Sequence, residues 1–365
     1  MNSKKNNIVI SFTFGILLAT GFFLALFAPK EGYSYSERRK LSPLPEVSQD
    51  TLLSGRFMSD FENYTLDNFP YRDSFRSIKA LASTELFHRQ DNNGIYASNG
   101  YLAAMEYPLD ESSLDYAAGR FRYIYDTYLT AGNHIYLSVI PDKNCFLAPL
   151  GGRLSIDYDE AEKHMAQKAD FAEYITISDL LELDDYYRTD THWRQEKITD
   201  VANRLLKGMG AAFSQDYKTE TLNQDFYGVY YGQAALLFKP DTLCCLTWDS
   251  MENCRVLDWQ NNRQIPVYDL DRAKGVDPYE MFLSGPLSLI TIDNPKAPEE
   301  KKLVLFRDSF GSSIAPLFIG GYSQITLVDI RYIHPGVLGK FIDFTACDVL
   351  FLYSTLVLNN STMIK

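Results

Sequence analysis

The chain has 365 residues, 46% hydrophobic and 22% charged, an ordinary globular composition that excludes a disordered, collagen-like or multi-span membrane protein. At about 150 residues per domain, the length fits roughly two domains or one large α/β domain with appendages. The 35 Lys and Arg against 47 Asp and Glu leave a net charge of -12 without an extended basic block, which argues against nucleic acid as a partner.

Ile8 to Ala28 is a run of 21 residues without a charge, long enough as a helix to cover the roughly 30 Å hydrocarbon core of a bilayer. A cleaved signal peptide is the competing reading. The apolar run exceeds a typical h-region, and Pro29 directly after Ala28 disfavours cleavage there, so an uncleaved single-pass anchor is expected. Lys4 and Lys5 before the span and Lys30, Arg38, Arg39 and Lys40 after it leave the positive-inside count undecided. With only a short stub ahead of the span and the bulk of the chain behind it, residues 1–7 are expected in the cytoplasm, 8–28 in the membrane, and the main domain outside the cell membrane.

Residues 29–90 read as a stalk and helical lead-in. Pro29, Pro43 and Pro45 among charged and small residues suggest an extended segment up to about residue 50. Phe57, Phe61, Tyr64 and Phe75, then Leu81 and Leu86, recur at roughly helical intervals, and Pro70 divides the run into two helices. Residues 91–365 read as one α/β domain. Ser98-Asn99-Gly100 within an alternating pattern predicts a β-hairpin, and an amphipathic helix is expected over about 111–130. His134 to Ile140 is a β-rich run ended by Pro141-Asp142-Lys143, and Lys302 to Phe306, Gln324 to Ile330 and Asp348 to Tyr353 repeat that character. Intervals long enough for crossover helices separate these last runs, the rhythm of a parallel sheet flanked by helices.

Cys145, Cys244, Cys245, Cys254 and Cys347 are odd in number and lack CxxC or Cys/His spacing, so neither a disulfide framework nor a zinc site is indicated; they read as mostly buried thiols. The 25 Tyr and 23 Phe are mostly core material, although exposed rings also stack on sugars. His88, His134, His164 and His334 have no partner at metal spacing, and neither a metal nor a cofactor is called for.

Two segments bear chemistry. In Tyr186 to Trp193, YYRTDTHW, Asp190 and His192 stand two apart in a polar stretch ahead of a helix expected at about 195–207, and residues two apart on an extended chain point the same way. A carboxylate beside an imidazole fixes its tautomer, as a general base for a serine hydroxyl requires; a satisfied surface pair is the alternative. Lys302 to Phe306 runs directly into Arg307-Asp308-Ser309-Phe310-Gly311, which places Ser309 at the carboxyl end of a strand, on the edge that faces the ligand crevice in open α/β sheets. A sharp strand-to-helix turn there exposes the hydroxyl and offers its amide to an oxyanion. Ser-x-Gly is shared with the nucleophile elbow, but Arg307 replaces the first glycine, and a helix-capping serine assisted by Asp308 is an equal alternative.

With these residues in view, the sequence resembles the bacterial DHHW proteins, relatives of the SGNH-hydrolase-like proteins of alginate acetylation. The resemblance rests on YYRTDTHW, FLSGP at 282–286, LVLFRDSFGSSIAPLF at 303–318 and LVDIRY at 327–332. It extends upstream through ERRKLSPLPE, FENYTLDNFPYRDSF, NNGIYASNGYL and IPDKN, and so covers about residue 36 onward. Asp-Thr-His-Trp replaces Asp-His-His-Trp, the form of the alginate relatives, and His192 is the retained second histidine. The resemblance implies an SGNH-hydrolase-like, flavodoxin-like α/β domain whose Asp and His precede the Ser. It further implies Ser309 as nucleophile, His192 as base and Asp190 as orienting carboxylate in O-acetyl transfer to an exopolysaccharide. The acetyl donor it implies is a multi-spanning membrane acyltransferase.

Arg331 lies past the end of a predicted strand, where it either binds sugar or oxyanion or pairs with Asp329. Lys143 occupies another strand end, either lining the crevice or, as the favoured reading, as a solvated loop lysine. Trp193 is expected beneath the His192 loop, with sugar stacking as the alternative. Taken together, these readings describe a membrane-anchored, extracytoplasmic O-acetyltransferase or acetylesterase acting on a cell-surface polysaccharide. The alternative is a non-catalytic scaffold that binds polysaccharide or the acyltransferase.

Overall fold

A computed structural model describes residues 2–27, 29–249, 251–297 and 300–365. Met1 of the expected stub and Ala28, the expected end of the span, lie outside the described residues. The chain divides into two compact units, Met1–Asn92 with Ala235–Leu237, and Asn93–Ala234 with Phe238–Lys365.

The first unit begins with helix α1 (Asn2–Phe27). Within Lys5–Phe27 an 18-residue window has a mean hydropathy of 2.3 with none of it buried, and 23 residues of helix span about 35 Å. That is long and apolar enough to cross a membrane, a description that a single-pass anchor and a signal sequence both meet. Strands β1 (Tyr33–Ser34) and β2 (Arg39–Lys40) then pair as a short antiparallel ribbon. Helix α2 (Gln49–Leu53) opens with a Ser48–Thr51 capping box. The Pro70 break appears where expected, between α3 (Arg56–Asp67) and α4 (Arg72–Leu81), the latter running on into a π-helical turn at Ala82–Leu86. Within the segment expected to be extended, Arg39 and Ser42 are bonded to α3. Arg39 Nη1 and the Ser42 amide donate to Asp67 Oδ2 at 2.8 and 2.9 Å, and the Arg39 guanidinium holds the Asp67 carboxyl well below the usual carboxylate range.

The second unit opens with the expected hairpin, β3 (Ile95–Ser98) and β4 (Tyr101–Ala104). Asn99 and Gly100 take φ of 46° and 78°, the left-handed pair that a two-residue turn matched to strand twist requires. Then come α5 (Glu111–Tyr128), β5 (His134–Ile140), α6 (Asn144–Gly151), α7 (Tyr158–Lys168) and β6 (Glu173–Tyr174). The single helix expected at 195–207 is a 3₁₀ turn at Gln195–Lys197 followed by α8 (Thr199–Gly208). Strands β7 (Lys218–Phe226) and β8 (Asp241–Thr247) form an unexpected hairpin around α9 (Val229–Ala234). After β9 (Arg255–Asp258), β10 (Arg263–Ile265) and β11 (Leu289–Asp293), the chain continues through β12 (Lys302–Arg307), α10 (Phe310–Phe318), β13 (Gln324–Val328), β14 (Asp348–Ser354) and α11 (Thr355–Leu358).

Eight strands form one sheet in the order β10-β9-β11-β13-β12-β14-β5-β6. The run from β13 to β6 is parallel, and β11, β9 and β10 extend it antiparallel. Counted from β12 as the first strand, the parallel part reads 2-1-3-4-5, the flavodoxin-like order, with the chain cut elsewhere. This permutation explains why the serine turn comes late in a chain whose histidine comes early.

Successive side chains on a strand face opposite ways, and both faces here are apolar. Leu303, Leu305, Leu350 and Leu352 enter one core with α8 and α10, through Val201, Leu205, Ile314 and Phe318. Val304, Phe306, Val349 and Phe351 enter the other with α5 and α7, through Phe121, Ile124 and Met165. Covering both faces leaves the carboxyl edge of the parallel strands as the open rim. Ser309, Asp329 and Lys143 follow the ends of β12, β13 and β5 along that rim, and Ser354 is the last residue of β14.

Candidate active site

The Tyr186–Trp193 segment closes on itself as a tight loop. Tyr186 and Trp193 form an antiparallel bridge, the Tyr187 amide donates to the His192 carbonyl at 3.1 Å, and the Arg194 amide donates to that of Asp185 at 2.7 Å. Two buried groups hold the loop from inside. Asp241 on β8 accepts from the amides of Arg188 and Thr189, both at 2.8 Å, and from the Thr189 hydroxyl at 2.6 Å. Lys143 donates to the carbonyls of Tyr187, Arg188 and Asp190 at 2.7, 3.3 and 2.6 Å. Gly228 is required beside it, because a Cβ there would lie 2.2 Å from Asp190 Cα. The next residue, Val229, donates its amide to Asp190 Oδ2 at 2.9 Å.

Within this frame Asp190 Oδ1 lies 2.6 Å from His192 Nδ1, and His192 Nε2 lies 2.8 Å from Ser309 Oγ. A carboxylate only accepts, so Nδ1 carries the ring proton and Nε2 turns its lone pair to the serine hydroxyl. Asp190 is fully buried, His192 is 9% exposed, and Ser309 is partly open to solvent, so the hydroxyl is the outermost member of the line. Tyr279 lies flat against the imidazole, ring centroids 3.7 Å apart and 5° from parallel, with Phe310 at 5.0 Å. The Tyr279 hydroxyl donates to Ser313 Oγ at 2.8 Å, and burial pushes its pKa well above the ordinary phenol range, so it acts here as a neutral wall.

Ser309 stands at the N-cap position of α10, yet its side chain makes no capping bond. Asp308 does that work: Oδ1 accepts from the Phe310 amide at 2.9 Å and Oδ2 from the Ser354 amide at 2.7 Å. The serine has φ −63° and ψ −25°, ordinary helical values. The strained elbow of Gly-x-Ser-x-Gly sites is absent, which accords with Arg307 in place of the first glycine. Gly311 is needed for a different reason, since a Cβ there would meet that of Arg307 at 2.5 Å.

The outer candidates fall differently. Arg331 is spent on Asp329, Nε to Oδ1 at 2.9 Å and Nη2 to Oδ2 at 2.6 Å, with buried Arg307 on the same carboxylate at 3.4 Å. It is the structural ion pair, and Asp329 raises its already high pKa. Trp193 is fully buried and donates Nε1 to Ser313 Oγ at 2.9 Å, so it packs beneath the loop and offers no face to a sugar. Lys143 corrects the favoured reading. It is 1% exposed, and its ammonium points into the His192 loop, not into solvent. The five cysteines are free thiols, with Cys145 and Cys254 half-buried. Sequence reasoning missed Asp241, Gly228 and Tyr279, which carry no local motif and reach the loop only through tertiary packing.

No protein-family model matches the sequence, and no curated protein does. Solved structures do. A DHHW family protein from Eubacterium siraeum superposes with a TM-score of 0.59 at 20% identity, covering 75% of this chain and 95% of that one. The chain has the fold of that DHHW family protein. Bacillus cereus PatB1 superposes with a TM-score of 0.60 at 17% identity, covering 74% and 98%, and a structure of PatB1 with a sulfonyl adduct gives 0.57. The DHHW likeness covers three quarters of this chain, and the α/β architecture with a flavodoxin-like parallel sheet is the one observed.

Proposed function

We propose that the chain is an O-acetyltransferase or acetylesterase acting on a cell-surface polysaccharide, with Ser309 as nucleophile, His192 as general base and acid, and Asp190 as the orienting carboxylate. The observation that carries this reading is the unbroken line from Asp190 Oδ1 to His192 at 2.6 Å and on to Ser309 Oγ at 2.8 Å, assembled from segments 117 residues apart. Ser309 Oγ attacks the acetyl carbonyl as its proton passes to His192 Nε2, and the imidazolium that forms is balanced by Asp190. Collapse of the tetrahedral adduct expels the donor alcohol, which takes that proton, and leaves an acetyl ester on Ser309. A sugar hydroxyl, or water in an esterase, then attacks the ester and gives its proton to Nε2, and the acetylated sugar leaves as Ser309 regains the proton.

The oxyanion needs a donor. At this turn the amides of Phe310, Gly311 and Ser312 are already bonded to Asp308 and Ser309 oxygens, which leaves the Ser309 amide for the task. In the proposed setting α1 anchors the chain with the α/β unit outside the cell membrane, and a multi-spanning acyltransferase delivers the acetyl group.

Ser309→Ala in the full chain tests the reading. Cleavage of 4-nitrophenyl acetate and labelling by an aryl sulfonyl fluoride, a reagent class suggested by the sulfonyl adduct on PatB1, are both expected to vanish. Unchanged cleavage in the variant rejects Ser309 as nucleophile. Product that forms only when an acetyl-accepting oligosaccharide is present distinguishes the transferase from the esterase.

A further inference from the structure

We propose that Lys143 is a positioning residue for the Asp190–His192 pair, holding the loop that carries both by charged hydrogen bonds to its backbone carbonyls. The inference rests on the catalytic reading above and adds a residue that touches neither substrate nor reacting atoms.

The geometry is specific to one loop. A lysine ammonium has three protons, and the acceptors within reach are the carbonyls of Tyr187, Arg188 and Asp190, at 2.7, 3.3 and 2.6 Å. These carbonyls belong to the turn whose amides at Arg188 and Thr189 are taken by Asp241, so a cation and an anion grip the same few peptides from complementary sides. The Tyr230 ring lies over the ammonium at 5.0 Å, and the Tyr230 hydroxyl pairs with Thr191 Oγ1 at 3.0 Å, tying the remaining loop residue to the same cluster. Asp190 is thus fixed through its carbonyl by Lys143 and through its carboxylate by Val229 and His192.

Burial is costly for an ammonium and pushes Lys143 down to about 7, against the upward pull of Asp241, Asp190 and Asp142. A methionine fills the same space without that cost, but it leaves the three carbonyls unsatisfied and the neighbouring carboxylates uncompensated, which destabilises the fold. A lower melting temperature is therefore common to a structural and a positioning role. Only a positioning role also moves the Asp190–His192 proton and kcat in a folded variant.

The experiment compares wild type, Lys143→Met and Lys143→Arg as full chains at pH 6, where the ammonium is populated. Three readouts are taken: the melting temperature, the far-downfield proton resonance of His192 Nδ1–H against Asp190, and ester-cleavage kinetics. Lys143→Met is expected to melt lower than wild type yet remain folded, to lose the resonance, and to drop kcat about 100-fold with KM within about threefold, the scale of a loop displaced by about 1 Å. Lys143→Arg, which keeps charge and donors, is expected to restore the resonance at least in part. A resonance retained in Lys143→Met overturns the proposal. If that variant does not fold, Lys143→Gln takes its place; failure of both makes Lys143 a folding determinant and equally overturns it. A wild-type chain that shows the resonance but cleaves no ester rejects the catalytic reading alone and leaves this inference to the spectrum.

Discussion

On the proposed catalytic reading, Gly228→Ala perturbs the site from outside the Asp190–His192–Ser309 line. The added methyl would start 2.2 Å from both Cα and Cβ of Asp190 and 2.4 Å from its nitrogen, whereas ordinary contact begins at 3.4 Å. The Asp190 backbone must therefore retreat by roughly 1.2 Å, or the turn between β7 and α9 must, and either movement breaks the Val229 amide bond to Asp190 Oδ2 at 2.9 Å. Forcing a methyl group into a packed site typically costs about 1–3 kcal/mol of stability. The larger effect falls on rate, because misplacing a reacting group by about 1 Å costs about 100-fold, or roughly 2.7 kcal/mol in the barrier. Steady-state cleavage of 4-nitrophenyl acetate, with thermal melting alongside to show that the variant is folded, reads both quantities. A folded Gly228→Ala enzyme within threefold of the wild-type kcat would refute the claim that this contact sets the position of Asp190.

Two further outcomes are expected. Asp190→Asn keeps the shape but offers an amide to Nδ1, which allows the wrong tautomer; kcat should fall by about 10⁴ with little change in melting temperature, and a loss under tenfold counts against the orienting role. Asp142 is buried against Tyr158 and Thr355, and burial pushes its carboxyl up from 3.8 to about 6 despite the bonds it accepts. The folded state therefore holds the Asp142 proton more tightly than the unfolded state, and that stabilisation is complete below about pH 4 and lost as pH rises through 6. The difference is worth about 3 kcal/mol. Denaturant melts at pH 4 and pH 7 should show that loss in wild type and not in Asp142→Asn, and parallel shifts in the two proteins would contradict it.

Features that a residue carries in its own neighbourhood were legible. Apolar runs such as LVLF and VLFLY announced the central strands because strands buried on both faces need no alternation, and Asn99-Gly100 announced its hairpin through the backbone sign that such a turn demands. Ser309, His192 and Asp190 stood out through motif likeness, with the strand end adding a physical reason for the serine alone. Strand β7 was invisible because only Phe226 along it is fully buried, so its sequence reads as polar coil and its pairing with β8 supplies the order. Strand β11, LITID, is short and shares no pattern with its antiparallel neighbours. Lys143 was misjudged because Pro-Asp-Lys resembles a loop in water. What buries it is a second loop 44 residues downstream, and no local property of the sequence reports that.

The permuted strand order also sets when the Ser309 turn can be built. In the central sheet β14 emerges from the ribosome after every other described strand, yet its place is between β5 and β12. Until it inserts, the ladder is split in two and Asp308 lacks the Ser354 amide that it needs to shape the turn before Phe310. A nascent chain thus carries Ser309 on an unshaped turn, which can be completed only once residue 354 has been made.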